Sequence, residues 1–166
     1  MSKEYSQIEL LKAFKGHPIH WLAMGFGTGL FPKAPGTFGT LAALPFIVLT
    51  ASQTQWVQWV IFLLIFISGI WICQKSADAL GAHDHGSIVW DEIAGYYLVM
   101  LFVPITALSL LLGFILFRIF DILKPWPIKY LDKHIHGGLG IMLDDILAGI
   151  FAGGLLYGIQ HFFGIL

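Results

Sequence analysis

Residues 93–117 read IAGYYLVMLFVPITALSLLLGFILF, twenty-five positions without a Lys, Arg, Asp or Glu. How this block runs decides the fold. It is long enough for one tilted membrane span, or for two short helices that turn back at Pro104. The two arrangements put Asp121 and the lysines after it on opposite sides of a membrane. Lys and Arg accumulate on the cytoplasmic side of membrane proteins, which discriminates between them. Suppose that the N-terminus is cytoplasmic and that residues 37–50 and 56–73 form a helical hairpin. A turn at Pro104 then leaves Lys75, Arg118, Lys124, Lys129 and Lys133 together on the cytoplasmic side. A single span would send the last four outside. A hairpin is therefore expected. Its arms are short, because sixteen residues from Ile88 to Val103 reach only about 24 Å. They must dip part-way or thin the bilayer.

The rest of the chain suits a membrane. It is 57% hydrophobic and 11% charged, with a mean hydropathy of +0.80, whereas soluble domains carry about a quarter charged residues. No charged residue occurs between Ala34 and Gln74. Residues 37–50 (TFGTLAALPFIVLT) predict an apolar helix kinked at Pro45, residues 51–55 (ASQTQ) a turn, and residues 56–73 a second helix of spanning length. Residues 146–166 predict a last span, with Ala148, Gly149, Ala152, Gly153 and Gly154 suited to close helix packing. Trp56 and Trp59 are expected at the outer interface and Trp21, Trp71, Trp90 and Trp126 at the inner one. Ile8, Leu10, Leu11 and Phe14 predict an N-terminal amphipathic surface helix rather than a signal peptide. The expected fold is all-α: a polytopic membrane helical bundle of about five membrane helices, some short, plus that surface helix. Residues 1–166 form a single domain. The formal net charge of −1 gives no reason for nucleic-acid binding.

This topology gathers the acidic residues at the inner face. The stretch 83–92 (HDHGSIVWDE) places Asp84, Asp91 and Glu92 at the start of the third membrane helix. Asp121 ends the fourth, and Asp144 and Asp145 start the fifth. Carboxylates entering lipid are costly unless paired. Hard oxygen ligands around a divalent cation relieve that cost and suit Mg²⁺ or Mn²⁺. The lone Cys73 excludes a thiolate cluster. Adjacent helical residues point about 100° apart, so one acid of each neighbouring pair faces the metal and the other supports it. Solvated helix ends are the plainer alternative, since acids favour helix N-termini, but three clusters on one face make it the weaker one. His83 and His85 are secondary candidates. The segment Lys33-Ala-Pro-Gly36-Thr37-Phe-Gly39-Thr40 leads into a helix and reads as an anion site. Lys124, in Lys-Pro-Trp-Pro, adds a second cation. A phosphate site beside a metal cage at a membrane surface points to phosphoryl chemistry on a lipid headgroup. Cysteine phosphatases, Asp-x-Asp phosphatases, multi-basic lipid phosphatases and CDP-alcohol transferases each lack their signature here.

Residues 25–45 (GFGTGLFPKAPGTFGTLAALP), 83–95 (HDHGSIVWDEIAG), 117–132 (FRIFDILKPWPIKYLD) and 137–149 (GGLGIMLDDILAG) closely resemble the phosphatidylglycerophosphatase A family. The resemblance implies a Mg²⁺-dependent phosphatase of the bacterial inner membrane, multi-pass, with its site on the cytoplasmic side. It would hydrolyse phosphatidylglycerophosphate to phosphatidylglycerol and inorganic phosphate. Family members often read Asp-Pro where this chain has Asp84-His85. The metal is expected on Asp84, Glu92, Asp121, Asp144 and Asp145. Catalytic roles fall to Asp91 as general base and to Lys33 and Lys124 as charge balance, and phosphate binding to Gly36, Thr37, Gly39 and Thr40. The rivals are another lipid-headgroup phosphotransfer enzyme and a small membrane ion carrier. Acids clustered at one end of charge-free helices argue against the carrier.

Overall fold

The computed structural model describes residues 12, 15–81 and 85–164. The N-terminal helix expected over residues 1–15 falls almost entirely outside these, as do His83 and Asp84. The described residues are helical, with no strand among them. The chain runs through α1 (Pro18–Ala23), a 3₁₀ segment (Gly25–Leu30), α2 (Pro35–Ala42), α3 (Leu44–Thr50), α4 (Gln55–Leu80), α5 (Trp90–Val99), α6 (Ala107–Leu123), α7 (Ile128–His134) and α8 (Gly137–Phe163).

The apolar block 93–117 does reverse. Tyr96 Oη donates to the Leu110 carbonyl at 2.7 Å, Gly113 packs on Val99 and Met100, and Gly95 packs on Phe117. These pairings run antiparallel. The turn is closed by a capping box: Ser109 N donates to Thr106 Oγ1 at 3.0 Å and Thr106 N to Ser109 Oγ at 2.8 Å. Ser109 Oγ also donates to the Pro104 carbonyl at 2.7 Å. The descending arm is shorter than the sequence suggested. Only ten residues of it are helical, about 15 Å, and all but Glu92 are buried.

Among the described residues two helices, α4 and α8, are long and apolar enough to cross a membrane. The other apolar segments are shorter. Residues 35–50 break at Ala43 into α2 and α3, with Pro45 opening the second piece. Five full spans are therefore not what the helix lengths provide. The outward faces are nonetheless apolar. Leu108, Leu111, Ile115, Ile119 and Ile122 form an exposed stripe on α6, and Leu63, Leu64, Ile67 and Trp71 one on α4. Apart from the adjacent Leu63 and Leu64, their three- and four-residue spacings mark single helix faces. Exposed apolar stripes of this length fit lipid better than water.

Helix α8 is the hub, packed against α4, α5, α6 and α7. Small residues make this possible. Gly149 lies against the Gly95 backbone, and Ala148 and Ala152 are fully buried. Gly154, expected in the same stripe, has open space around it instead. Helix α8 starts nine residues earlier than expected, at Gly137. The Gly-Gly-Leu-Gly run has weak helix propensity, yet Gly138 abuts the Ile70 carbonyl of α4 and its N–H donates to Gln74 Oε1 at 2.6 Å. Tertiary packing and a borrowed cap override weak helix propensity. Asp144 and Asp145 thus lie about two turns inside a continuous helix. Trp90 is a second correction. It is buried, with Nε1 donating to the Ile65 carbonyl at 3.1 Å, so it belongs to the core and not to an interfacial belt.

Candidate active site

Three helices bring their acids to one point. Asp91 and Glu92 come from the first turn of α5, Asp121 from the last turns of α6, and Asp145 from α8. One carboxylate oxygen each from Asp91, Glu92 and Asp145 lie within 4.8 Å of one another. Asp121 also lies against Asp145. Asp91 and Asp145 are 8% and 2% exposed. At that separation each pair of ionised carboxylates repels by about 3 kcal/mol with an effective dielectric of ~20. A folded domain is stable by only ~5–15 kcal/mol in total, so the cluster demands compensating positive charge.

The protein supplies one such charge, Arg118. Its Nη1 pairs with Asp121 Oδ2, lies 3.8 Å from Glu92 Oε1 and reaches Thr40 Oγ1 at 3.5 Å. Four carboxylates against one guanidinium leave a deficit that a divalent cation would largely remove. Two buried atoms sharpen this. Glu92 Oε2 and Arg118 Nε have no hydrogen-bond partner, a costly state for polar groups. An unsatisfied carboxylate oxygen beside two further acids suits a hard cation, and an unsatisfied guanidinium N–H suits an anion. The oxygen-only donor set therefore fits Mg²⁺. Arg118 was not among the residues singled out from the sequence. Its signal was the i,i+3 spacing to Asp121 on one helix face.

The pair Asp144–Asp145 divides. Asp145 joins the cluster, while Asp144 Oδ2 accepts from Lys124 Nζ at 2.6 Å. Lys124 also donates to Asp132 Oδ1 of α7 at 2.7 Å. The chain turns sharply here because Lys124 caps α6 in the left-handed region, before Pro125 and Pro127. Burial alone would pull the Lys124 ammonium down, but the Asp144 and Asp132 carboxylates override it and hold it above its ordinary value. A raised folded value stabilises the protein below the unfolded lysine value of about 10.4, and that stability is lost as pH climbs towards the folded value. Lys124→Ala strands two carboxylates. With the lysine side chain 24% exposed, the expected cost is about 2 kcal/mol rather than the ~3–5 kcal/mol of a fully buried pair. Thermal melts should show the gap to wild type constant from neutral pH to about pH 10 and narrowing above it. A gap that does not change with alkaline pH would refute the ion-pair account.

The glycine segment covers the cluster. A side chain at Gly36 would run into Glu92 Oε1 and approach Arg118 Nη1 at 3.1 Å. Thr40 Oγ1 donates to the Gly36 carbonyl at 2.8 Å while accepting from Arg118. Gly39 packs on Val89. Thr37 is half-buried and its N–H donates to the Ala34 carbonyl at 3.0 Å. Gly36 and Thr40 therefore meet the acidic centre, whereas Gly39 serves helix packing. Lys33 is exposed just ahead of α2, and His85 Nδ1 sits 2.7 Å from Ser87 Oγ.

Residues 21–160 match the family model described as Phosphatidylglycerophosphatase A. The chain is 47% identical over 147 residues to the Escherichia coli (strain K12) protein named Phosphatidylglycerophosphatase A, covering 87% of this chain and 85% of the relative. It is 46% identical over 147 residues to the Haemophilus influenzae protein of the same name, covering 87% and 90%. No solved structure matches the chain.

Proposed function

The chain belongs to the phosphatidylglycerophosphatase A family and is a phosphoric monoester hydrolase; we propose that it cleaves phosphatidylglycerophosphate to phosphatidylglycerol and inorganic phosphate with Mg²⁺ at the cytoplasmic face of a bacterial inner membrane. The observation that carries the metal is the convergence of Asp91, Glu92 and Asp145 within 4.8 Å, with Glu92 Oε2 buried and unsatisfied. The exposed apolar stripes of α4 and α6, and the spanning lengths of α4 and α8, support the membrane location. The short arms α5 and α6 then enter the bilayer as a hairpin.

Glu92, Asp121 and Asp145 would hold the ion. Bound there, Mg²⁺ supplies positive charge against the phosphoryl oxygens and acidifies water. The remaining work belongs to side chains. Asp91 takes the proton of the attacking water as its oxygen bonds to phosphorus and the ester P–O bond breaks. The same proton then passes to the departing glycerol oxygen. Arg118, through its unsatisfied Nε, and Lys33 offset charge on the phosphoryl oxygens. Lys124 keeps Asp144 and Asp132 in place and so fixes the angle at which α6 presents Asp121. Asp84, seven residues ahead of Asp91 in the chain, is a further candidate ligand that lies outside the described residues.

The test is phosphate release from phosphatidylglycerophosphate in detergent micelles by purified protein. Release is expected with Mg²⁺, is expected to stop in EDTA, and should return when Mg²⁺ is added back. Release that persists in EDTA would remove the metal from the mechanism. Headgroup transferred to a second lipid with no free phosphate would instead identify a transferase.

A further inference from the structure

An apolar groove of about 460 Å³ opens beside the 3₁₀ segment, lined by Phe26, Thr28, Ala42, Pro45, Phe46 and Leu49. That volume is within the range of small-ligand sites, roughly 300–1,000 Å³. Resting on the lipid-phosphatase reading above, we propose that this groove holds one acyl chain of the phosphomonoester phospholipid while its terminal phosphate sits at the acid cluster.

Three observations argue for this occupant. The first is continuity with the candidate site. Helix α2 carries Gly36 over Glu92 and Arg118 at its start and Ala42 into the groove at its end. Six residues of helix separate them by about 9 Å, a span that the phosphate–glycerol–phosphate–glycerol headgroup can bridge. The second is a shared aromatic wall. Trp90 immediately precedes Asp91 in the chain, and its ring lies 6.4 Å from Phe26 and 6.2 Å from Phe46 between centroids. Phe26 and Phe46 themselves stand 6.0 Å apart. Groove and acid cluster are thus two sides of one α5 turn.

The third observation is backbone strain. Gly25, Phe26 and Gly27 all have positive φ, at 52°, 58° and 101°. Phenylalanine avoids this region, and such strain persists where surroundings enforce it. Here a side chain at Gly25 would strike Val89 and Thr28, so the tight backbone is pinned against the start of α5. The result is a large apolar ring held 56% exposed at the groove. Leu49, at the far end, is 77% exposed. A ring and a leucine presented outward at this cost make sense where an acyl chain covers them.

The test uses the wild-type protein in lipid nanodiscs. The probe is a phosphonate analogue of phosphatidylglycerophosphate, which keeps the terminal phosphoryl group but lacks the scissile oxygen, with a diazirine midway along one acyl chain. After photolysis, mass spectrometry maps the adducts. Phe46 and Leu49 should be labelled about tenfold more by this probe than by a phosphatidylcholine diazirine at equal mole fraction. Equal labelling by the two probes would make the groove a crevice for bulk lipid. Adducts confined to Leu111, Ile115 and Ile119 would place the chains on α6. Either result overturns the proposal. Absence of phosphate release from the natural lipid by the same preparation would remove its premise, and that outcome is read independently of the adduct map.

Discussion

Asp145→Asn is expected to abolish phosphate release and, in EDTA, to melt higher than the wild type. Both effects come from one geometric fact. Asp145 is nearly fully buried and shares a 4.8 Å neighbourhood with Asp91 and Glu92, with Asp121 also against it. Losing a ligand that holds the ion costs several kcal/mol of transition-state stabilisation, so roughly 10³-fold in rate. Without metal the same carboxylate is a burden. Removing one buried charge from the cluster relieves at least one such pair repulsion, about 3 kcal/mol, which is roughly 6–12 °C in Tm for a chain of this size. Saturating Mg²⁺ should stabilise the wild type strongly and the variant little. Melting curves with and without Mg²⁺, read beside an activity assay, check this. If the two proteins melt alike and respond equally to Mg²⁺, Asp145 is not a ligand. Sites built for function commonly sacrifice stability in this way.

Gly36→Ala is the second large effect, and it is silent by composition. The added methyl collides with Glu92 Oε1 and comes within 3.1–3.2 Å of the Arg118 guanidinium. Helix α2 cannot retreat freely, because Gly39 is closely packed on Val89 three residues later. Glu92 and Arg118 must therefore shift. A displacement on the order of 1 Å at a catalytic group costs about 10²-fold. Stability should change little, since alanine is a better helix former than glycine. The expected signature is a variant with wild-type melting and a kcat near 1% of normal. A fully active Gly36→Ala would show that α2 does not brace the acids.

Different physical signals account for what the sequence revealed and what it hid. The reversal at Pro104 was legible because proline, the length of the apolar block and the distribution of Lys and Arg agree. The gathering of Asp91, Glu92, Asp121 and Asp145 was legible once that reversal was in place, since it follows from which helix ends share a face. The split of Asp144 from Asp145 followed from helix geometry in kind, but not in direction. Only the contact with Lys124 tells which one turns away. The true start of α8 was hidden, because glycines at 137, 138 and 140 favour no helix until their contacts with α4 and Ile135 are known. Trp90 was misplaced for a similar reason. Interfacial tryptophans and buried ones look alike in sequence, and only the hydrogen bond to the Ile65 carbonyl separates them. Arg118 looked like one more cytoplasmic positive charge, although its spacing to Asp121 was in plain view.

The position of α8 has a consequence for how the protein comes into being. It is the last described helix in the chain, yet it contributes Asp145 to the centre and the glycine surface on which α5 rests. During synthesis every earlier segment emerges without that support. The ten-residue α5 has neither the length to lodge in a bilayer alone nor a neighbour to cover the Gly95 carbonyl. A nascent chain therefore carries Asp91, Glu92 and Asp121 without Asp145, and the acidic centre is completed only when the final helix docks.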